Sequence, residues 1–167
     1  MSPQADGAVL VMAATLRPFR WWDIETVRLI EQDLFPEDPW SVEMFWSELA
    51  DAPHSRYYVI AEDDGEIAGY AGLMSQPGAD QGAMEGWVQN IAVARAHQGR
   101  GLGTVLLGAL LEEALRRKCV EVWLEVRTDN DSAQRLYTRH GFESVGIRRG
   151  YYQPGNHDAL IMRKALA

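Results

Sequence analysis

Disulfides are the first thing this chain excludes. Its 167 residues hold one cysteine, Cys119, so no internal bridge can form and the residue reads as a small core side chain suited to a reducing compartment. No export signal is read either, because the apolar stretch Val9 to Ala14 is short, lacks a basic segment before it and runs straight into Arg17. The expectation is a cytoplasmic protein with no membrane partner. Positive charge is scarce: 16 Lys and Arg against 24 Asp and Glu give a net charge of -8, which argues against a nucleic-acid binder, whose electrostatics need a basic face. The four histidines have no ligand-like spacing with Cys or acids, so no metal is expected. No repeat, low-complexity tract or linker divides the chain. A loose tail over residues 1–7 and one domain over 8–167 follow.

What is present is globular: 47% hydrophobic and 24% charged residues, enough for a sizeable core. Val9 to Leu16 is β-capable. The stretch from Trp22 to Leu34 sets Ile24, Val27, Ile30 and Leu34 at helical spacing, and Pro36 and Pro39 interrupt it. Ser41 then reads as the N-cap of a short helix carrying Met44, Phe45 and Leu49. Tyr57 to Glu62 and Ile67 to Met74 flank Asp63-Asp64-Gly65-Glu66 and predict a hairpin. Trp87 to Val93 is a further strand, and the helix after it places Glu112 with Arg116 and Glu113 with Arg117 on its wet side. Val120 to Val126 predicts a strand, Asp131 with Gln134 a capping box for a helix through Arg139, and Phe142 to Ile147 with Ala159 to Met162 two last strands. A mixed α/β sheet covered by helices results.

The most informative stretch is Gln98-Gly99-Arg100-Gly101-Leu102-Gly103, between the apolar Ile91-Ala92-Val93 and a long aliphatic helix. Glycines let backbone approach a ligand closely, and the first helical turn presents N–H groups without carbonyl partners at the positive end of a dipole, a cradle for phosphate. A nucleotide-hydrolase loop needs Lys-Ser/Thr after its last glycine, where this chain has Thr104-Val105. A dinucleotide loop needs its third glycine where Thr104 stands.

Gln98-x-x-Gly101-x-Gly103 resembles the acetyl-CoA loop of GNAT acyltransferases, and the likeness runs from about Val9 to Ala165. Trp123-Leu124-Glu125-Val126-Arg127, Asn130, Leu136-Tyr137, Gly141-Phe142 and Arg148-Arg149-Gly150-Tyr151-Tyr152 resemble the RimI-type group, which acetylates the N-terminal alanine of a small-subunit ribosomal protein. Phe35-Pro36 and Trp40-Ser41 are similar to that group's segment after the first helix, with Glu37-Asp38 inserted. The resemblance implies the GNAT fold, a mixed, mostly antiparallel sheet of about seven strands with flanking helices, and an acetyl-CoA-dependent N-acetyltransferase. Its partner would be the basic N-terminus of a ribosomal protein, and a monomer is expected.

By the same resemblance the backbone of Gly99, Arg100, Gly101, Leu102, Gly103 and Thr104, with Gln98, would hold pyrophosphate, and Ile91, Ala92 and Val93 would meet the pantetheine and acetyl carbonyl. Asn130 either caps its helix or bonds the pantetheine amides. Glu125 aligns with the general base and Tyr137 with the acid that protonates the departing thiolate. Trp40, Tyr151 and Tyr152 are the candidates for the acceptor slot. An α-amine near pKa 8 costs about 1.4 kcal/mol to deprotonate at pH 7 and a lysine about 4.6 kcal/mol, so a carboxylate handles the first cheaply. A lysine or small-amine acceptor, and a non-catalytic acetyl-CoA sensor, are the alternative readings.

Overall fold

A computed structural model describes residues 14–79, 82–152 and 157–166, with the side chain of Tyr152 outside that set. The tail expected over residues 1–7, the strand start expected at Val9, and the loop from Gln153 to Asn156 lie outside the described residues. The elements are β1 (Thr15–Pro18), a 3-10 turn (Trp21–Asp23), α1 (Ile24–Leu34), α2 (Val42–Ala50), β2 (Arg56–Asp63), β3 (Glu66–Pro77), β4 (Met84–Val93), a second 3-10 turn (Arg95–His97), α3 (Leu102–Arg116), β5 (Cys119–Arg127), α4 (Asp131–Arg139), β6 (Glu143–Tyr152) and β7 (His157–Ala165). Their order matches the expectation from sequence. No helix among the described residues is long and apolar enough to cross a membrane.

The strands form one sheet in the order β1-β2-β3-β4-β5-β7-β6. Every neighbouring pair is antiparallel except β4 with β5. The β2–β3 hairpin closes on Asp64 and Gly65, both at positive φ (53° and 79°), the two-residue turn whose twist matches that of its strands. Alternation along the strands divides the core. Val59, Ala71, Leu73, Val122, Leu124 and Met162 face α3 and α4 with Leu106, Leu107 and Leu110. Tyr58, Ile60, Tyr70 and Ala92 face the opposite way, onto Ile24, Val27 and Phe45 of α1 and α2. Cys119 is buried in the first of these cores, as its neighbours imply.

Helix ends follow local chemistry, with two corrections. The Ser41 hydroxyl caps α2 by accepting the Met44 N–H at 3.2 Å, as read from sequence. At α4 the cap is Asn130, whose Oδ1 accepts the Ala133 N–H at 3.2 Å. Asp131 is already inside the helix, and Gln134 turns back to donate to the carbonyls of Arg127 and Thr128, so the Asp131–Gln134 capping box is not formed. On α3, Glu113 is not on a wet face: it is buried, 6% exposed, and pairs with Arg117 at 2.9 Å and Arg116 at 2.8 Å. Arg117 also donates to the carbonyls of Pro53 and His54, so this ion pair ties the end of α3 to the loop before β2.

A second buried carboxyl lies between α1 and the sheet. Glu31 is 2% exposed, accepts the Trp40 N–H at 3.2 Å and Asn90 Nδ2 at 3.3 Å, and receives the Tyr70 hydroxyl. Burial pushes its pKa up to about 7, against the pull of those N–H donors. Native protein therefore holds more protons at this site than unfolded chain between about pH 4.5 and 7, and stability falls as pH rises through that window. The shift bounds the effect at about 3 kcal/mol. Carboxylates held low by arginines, such as Glu121 by Arg163 and Asp129 by Arg127, act at lower pH with the opposite sign. Urea midpoints measured at about pH 5 and about pH 8 should drop with pH in the native protein and stay nearly level in Glu31→Gln.

Candidate active site

The parallel ladder between β4 and β5 is short. It joins Met84–Trp87 to Cys119–Trp123 and stops, although β4 continues to Val93 and β5 to Arg127. The last partners, Trp87 and Trp123, stack with ring centroids 5.6 Å apart. Above them β4 carries a bulge, since Gly72 pairs with Asn90 and Leu73 with Val88, leaving Gln89 as the extra residue that bends the strand. The two strands thus part at their carboxyl ends, where open sheets take ligands.

The glycine run sits at the top of this gap. Gly99 and Gly101 adopt φ of 81° and 83°, a region where a Cβ would be strained. Gly101 is the N-cap of α3, and no side chain caps it, so the N–H groups of the first turn face outward at the positive helix end. Gln98 Nε2 donates to the Val93 carbonyl at 3.0 Å, bracing loop to strand. Gly103 has a different duty: a Cβ there would lie 3.3 Å from Leu136 Cδ2, so it lets α4 pack closely on α3. Arg100 forms an ion pair with Asp63 in the β2–β3 hairpin, and Leu102 is buried in the core.

The expected catalytic pair approaches the gap from opposite faces. On β5 the buried residues that alternate with Glu125 are Leu124 and Val126, and these two face α3 and α4. Glu125 therefore lies on the α1–α2 side. It is half-buried, lies 3.0 Å from Arg148 Nη1 on β6 and bonds the Tyr151 hydroxyl. The Arg148 guanidinium also sits over the Tyr151 ring, 4.9 Å from its centroid. Tyr137 of α4 lies in the core on the α3–α4 side, edge-on to Phe142 at 5.8 Å. Burial pushes its pKa up to about 12, so at neutral pH the phenol keeps its proton.

Among the remaining candidates, Ile91 and Val93 pack on the α3 side and Ala92 on the α1 side. Thr104 is exposed on the first turn of α3. Trp40 is half-buried, with its ring packed on Phe45 at a centroid distance of 5.2 Å. Tyr151 is 45% exposed beside Glu125, and the Tyr152 side chain lies outside the described residues. Among those residues no three His, Cys, Asp or Glu side chains gather as a metal-holding group.

The acetyltransferase (GNAT) family model matches residues 22–142, well over half of the chain. The chain belongs to that family. It is similar to the N-alpha-acetyltransferase RimI of Mycobacterium tuberculosis, 43% identical over 143 residues that cover 85% of this chain and 86% of that one. It is also similar to the alanine N-acetyltransferase of ribosomal protein bS18 from Escherichia coli, 36% identical over 127 residues, covering 74% and 79% of the two chains. The crystal structure of the Escherichia coli ribosomal-protein-alanine N-acetyltransferase superposes with a TM-score of 0.75 at 31% identity, over 92% of this chain and 94% of that one. As a GNAT, this protein is an N-acetyltransferase.

Sequence reasoning missed Arg148 as the partner of Glu125, since the two meet only through β7, which lies between their strands. It also missed Glu31 and Asn90. Glu31 left a signal, a glutamate on the apolar stripe of α1, whereas Asn90 follows Gln89 in β4 and does not stand out. Asn130 has two separable duties to test. Asn130→Ala should cost about 1 kcal/mol of stability through the lost cap, whereas Asn130→Asp should keep the cap and lose the amide donor. If Asn130 also serves the coenzyme, urea titration will find the Asp variant near native stability while calorimetry finds weaker coenzyme A binding in both.

Proposed function

We propose that this GNAT transfers acetyl from acetyl-CoA to the N-terminal α-amine of alanine on a small-subunit ribosomal protein, by direct attack in a ternary complex. The observation that carries this reading is the gap between β4 and β5, with a carboxylate on one face and a protonated phenol on the other. The relatives named for alanine N-acetylation support the acceptor.

The residues fit the coenzyme. Gly99 and Gly101 at positive φ and the uncapped start of α3 suit a pyrophosphate, and the Asn130 side chain keeps its Nδ2 donors after Oδ1 has capped α4. Acetyl-CoA supplies the thioester carbonyl that an amine attacks. Glu125 takes the proton of the incoming ammonium, directly or through one water, on the α1–α2 side of the sheet. Arg148 and the Tyr151 hydroxyl hold its carboxylate in place. Tyr137, protonated at neutral pH, donates its phenolic proton on the other side. The backbone N–H of Val93 is the proposed donor to the carbonyl oxygen.

Two measurements test this. A peptide with a free N-terminal alanine should be acetylated, while one blocked there but carrying lysines should not; acetylation of the blocked peptide alone would refute the α-amine assignment. Glu125→Gln should lower kcat on the order of 10²-fold at pH 7 and move the pH profile upward, because the amine must then lose its proton to solvent, and Tyr137→Phe should lower kcat by a similar factor. Normal turnover across pH in both variants would refute the assigned roles.

A further inference from the structure

We propose that Glu31 is a positioning residue for the acceptor: it fastens the segment between α1 and α2 to β4, the strand whose end borders the gap. The inference rests on the proposed reading of that gap as the transfer site. Glu31 has one oxygen on each side of a joint. Oε1 accepts the backbone N–H of Trp40, just before α2, and Oε2 accepts Asn90 Nδ2, next to Ile91 on β4. The Tyr70 hydroxyl on β3 completes the cluster, bonded to both Glu31 and Asn90.

Three features make this more than core packing. A carboxylate on the apolar face of a helix is costly to bury unless its bonds return the cost, and an apolar side chain at that position would fill the same stripe. Its partners come from three separate elements that meet beside the gap, one of them the β4 residue adjoining the bulge. The tethered group is a backbone N–H, so the contact fixes the course of the Phe35-to-Ser41 segment whatever side chains it carries. Glu37 of the same segment reaches across to Arg127 at 3.3 Å and His157 at 3.4 Å. The segment is therefore anchored at two points, a buried one on β4 and an exposed one at the ends of β5 and β7, and it borders the space in front of Glu125. The charged and titratable groups facing Glu31 are Tyr58 and Tyr70 from the sheet and Asp38 from the segment itself.

The test separates acceptor from coenzyme. Glu31→Ala should raise the KM for the acceptor peptide about tenfold and leave acetyl-CoA affinity within about twofold, and Glu31→Gln, which keeps an acceptor for the Trp40 N–H, should recover most of the loss. Asn90→Ala, which cuts only the strand side, should give the same split with a smaller rise, and it serves if the Ala variant at position 31 does not fold. Hydrogen exchange at the Trp40 amide, read without any acceptor, should be slow in the native protein and in Glu31→Gln and fast in Glu31→Ala. An unchanged acceptor KM, equal losses for acceptor and coenzyme, or unaltered exchange at Trp40 would overturn the proposal. If the native enzyme fails to acetylate the alanine peptide, the reading of the acceptor fails and the positioning role falls with it, while the exchange measurement still decides whether Glu31 holds the segment.

Discussion

The parting of β4 from β5 is the constraint on which the rest of the structure depends. Two parallel strands that stayed paired to their ends would fill the site with their own hydrogen bonds. Here the ladder ends at the stacked pair Trp87 and Trp123, and the bulge at Gln89 bends β4 away. The backbone groups of the free ends are then left for a ligand, because buried polar groups must find partners. The glycine run follows β4 after a single 3-10 turn, so the proposed coenzyme cradle and the gap come from one continuous stretch of chain.

A sheet with a gap joins its two faces. The α3–α4 face carries Tyr137, 8% exposed, where burial raises the pKa of the phenol. The α1–α2 face carries Glu125, half-buried and held by Arg148 and Tyr151. The sheet itself separates the two groups to which the roles of base and acid are proposed. Helices α1 and α2 cover only the first half of their face, over β2 to β4, and the segment between them ends beside the uncovered half. The proposed approach of the amine to Glu125 is over that uncovered half.

Much of this is legible in the sequence because it is local. Element order, the β2–β3 turn, the Ser41 cap and the helix start after the glycine run each rest on a few adjacent residues, and the structure reproduces them. The errors concern partners at a distance and, at α4, the residue at which the helix begins. Spacing to Arg117 alone puts Glu113 in water, yet Arg117 itself bonds the loop at Pro53 and His54 and draws the pair inward. Asp131 has the chemistry of a cap, but the turn places Asn130 one residue earlier in that role. Arg148 meets Glu125 across an intervening strand, a contact that depends on sheet order rather than on spacing.

The central claim is that the gap and its glycine loop form the coenzyme site. Hydrogen exchange with and without coenzyme A tests it most directly. The account predicts slower exchange at the amides of Gly99 to Thr104 and Ile91 to Val93 on binding, with the β1–β2 edge unchanged. Binding that left those amides unprotected, or protected the edge strands instead, would contradict it.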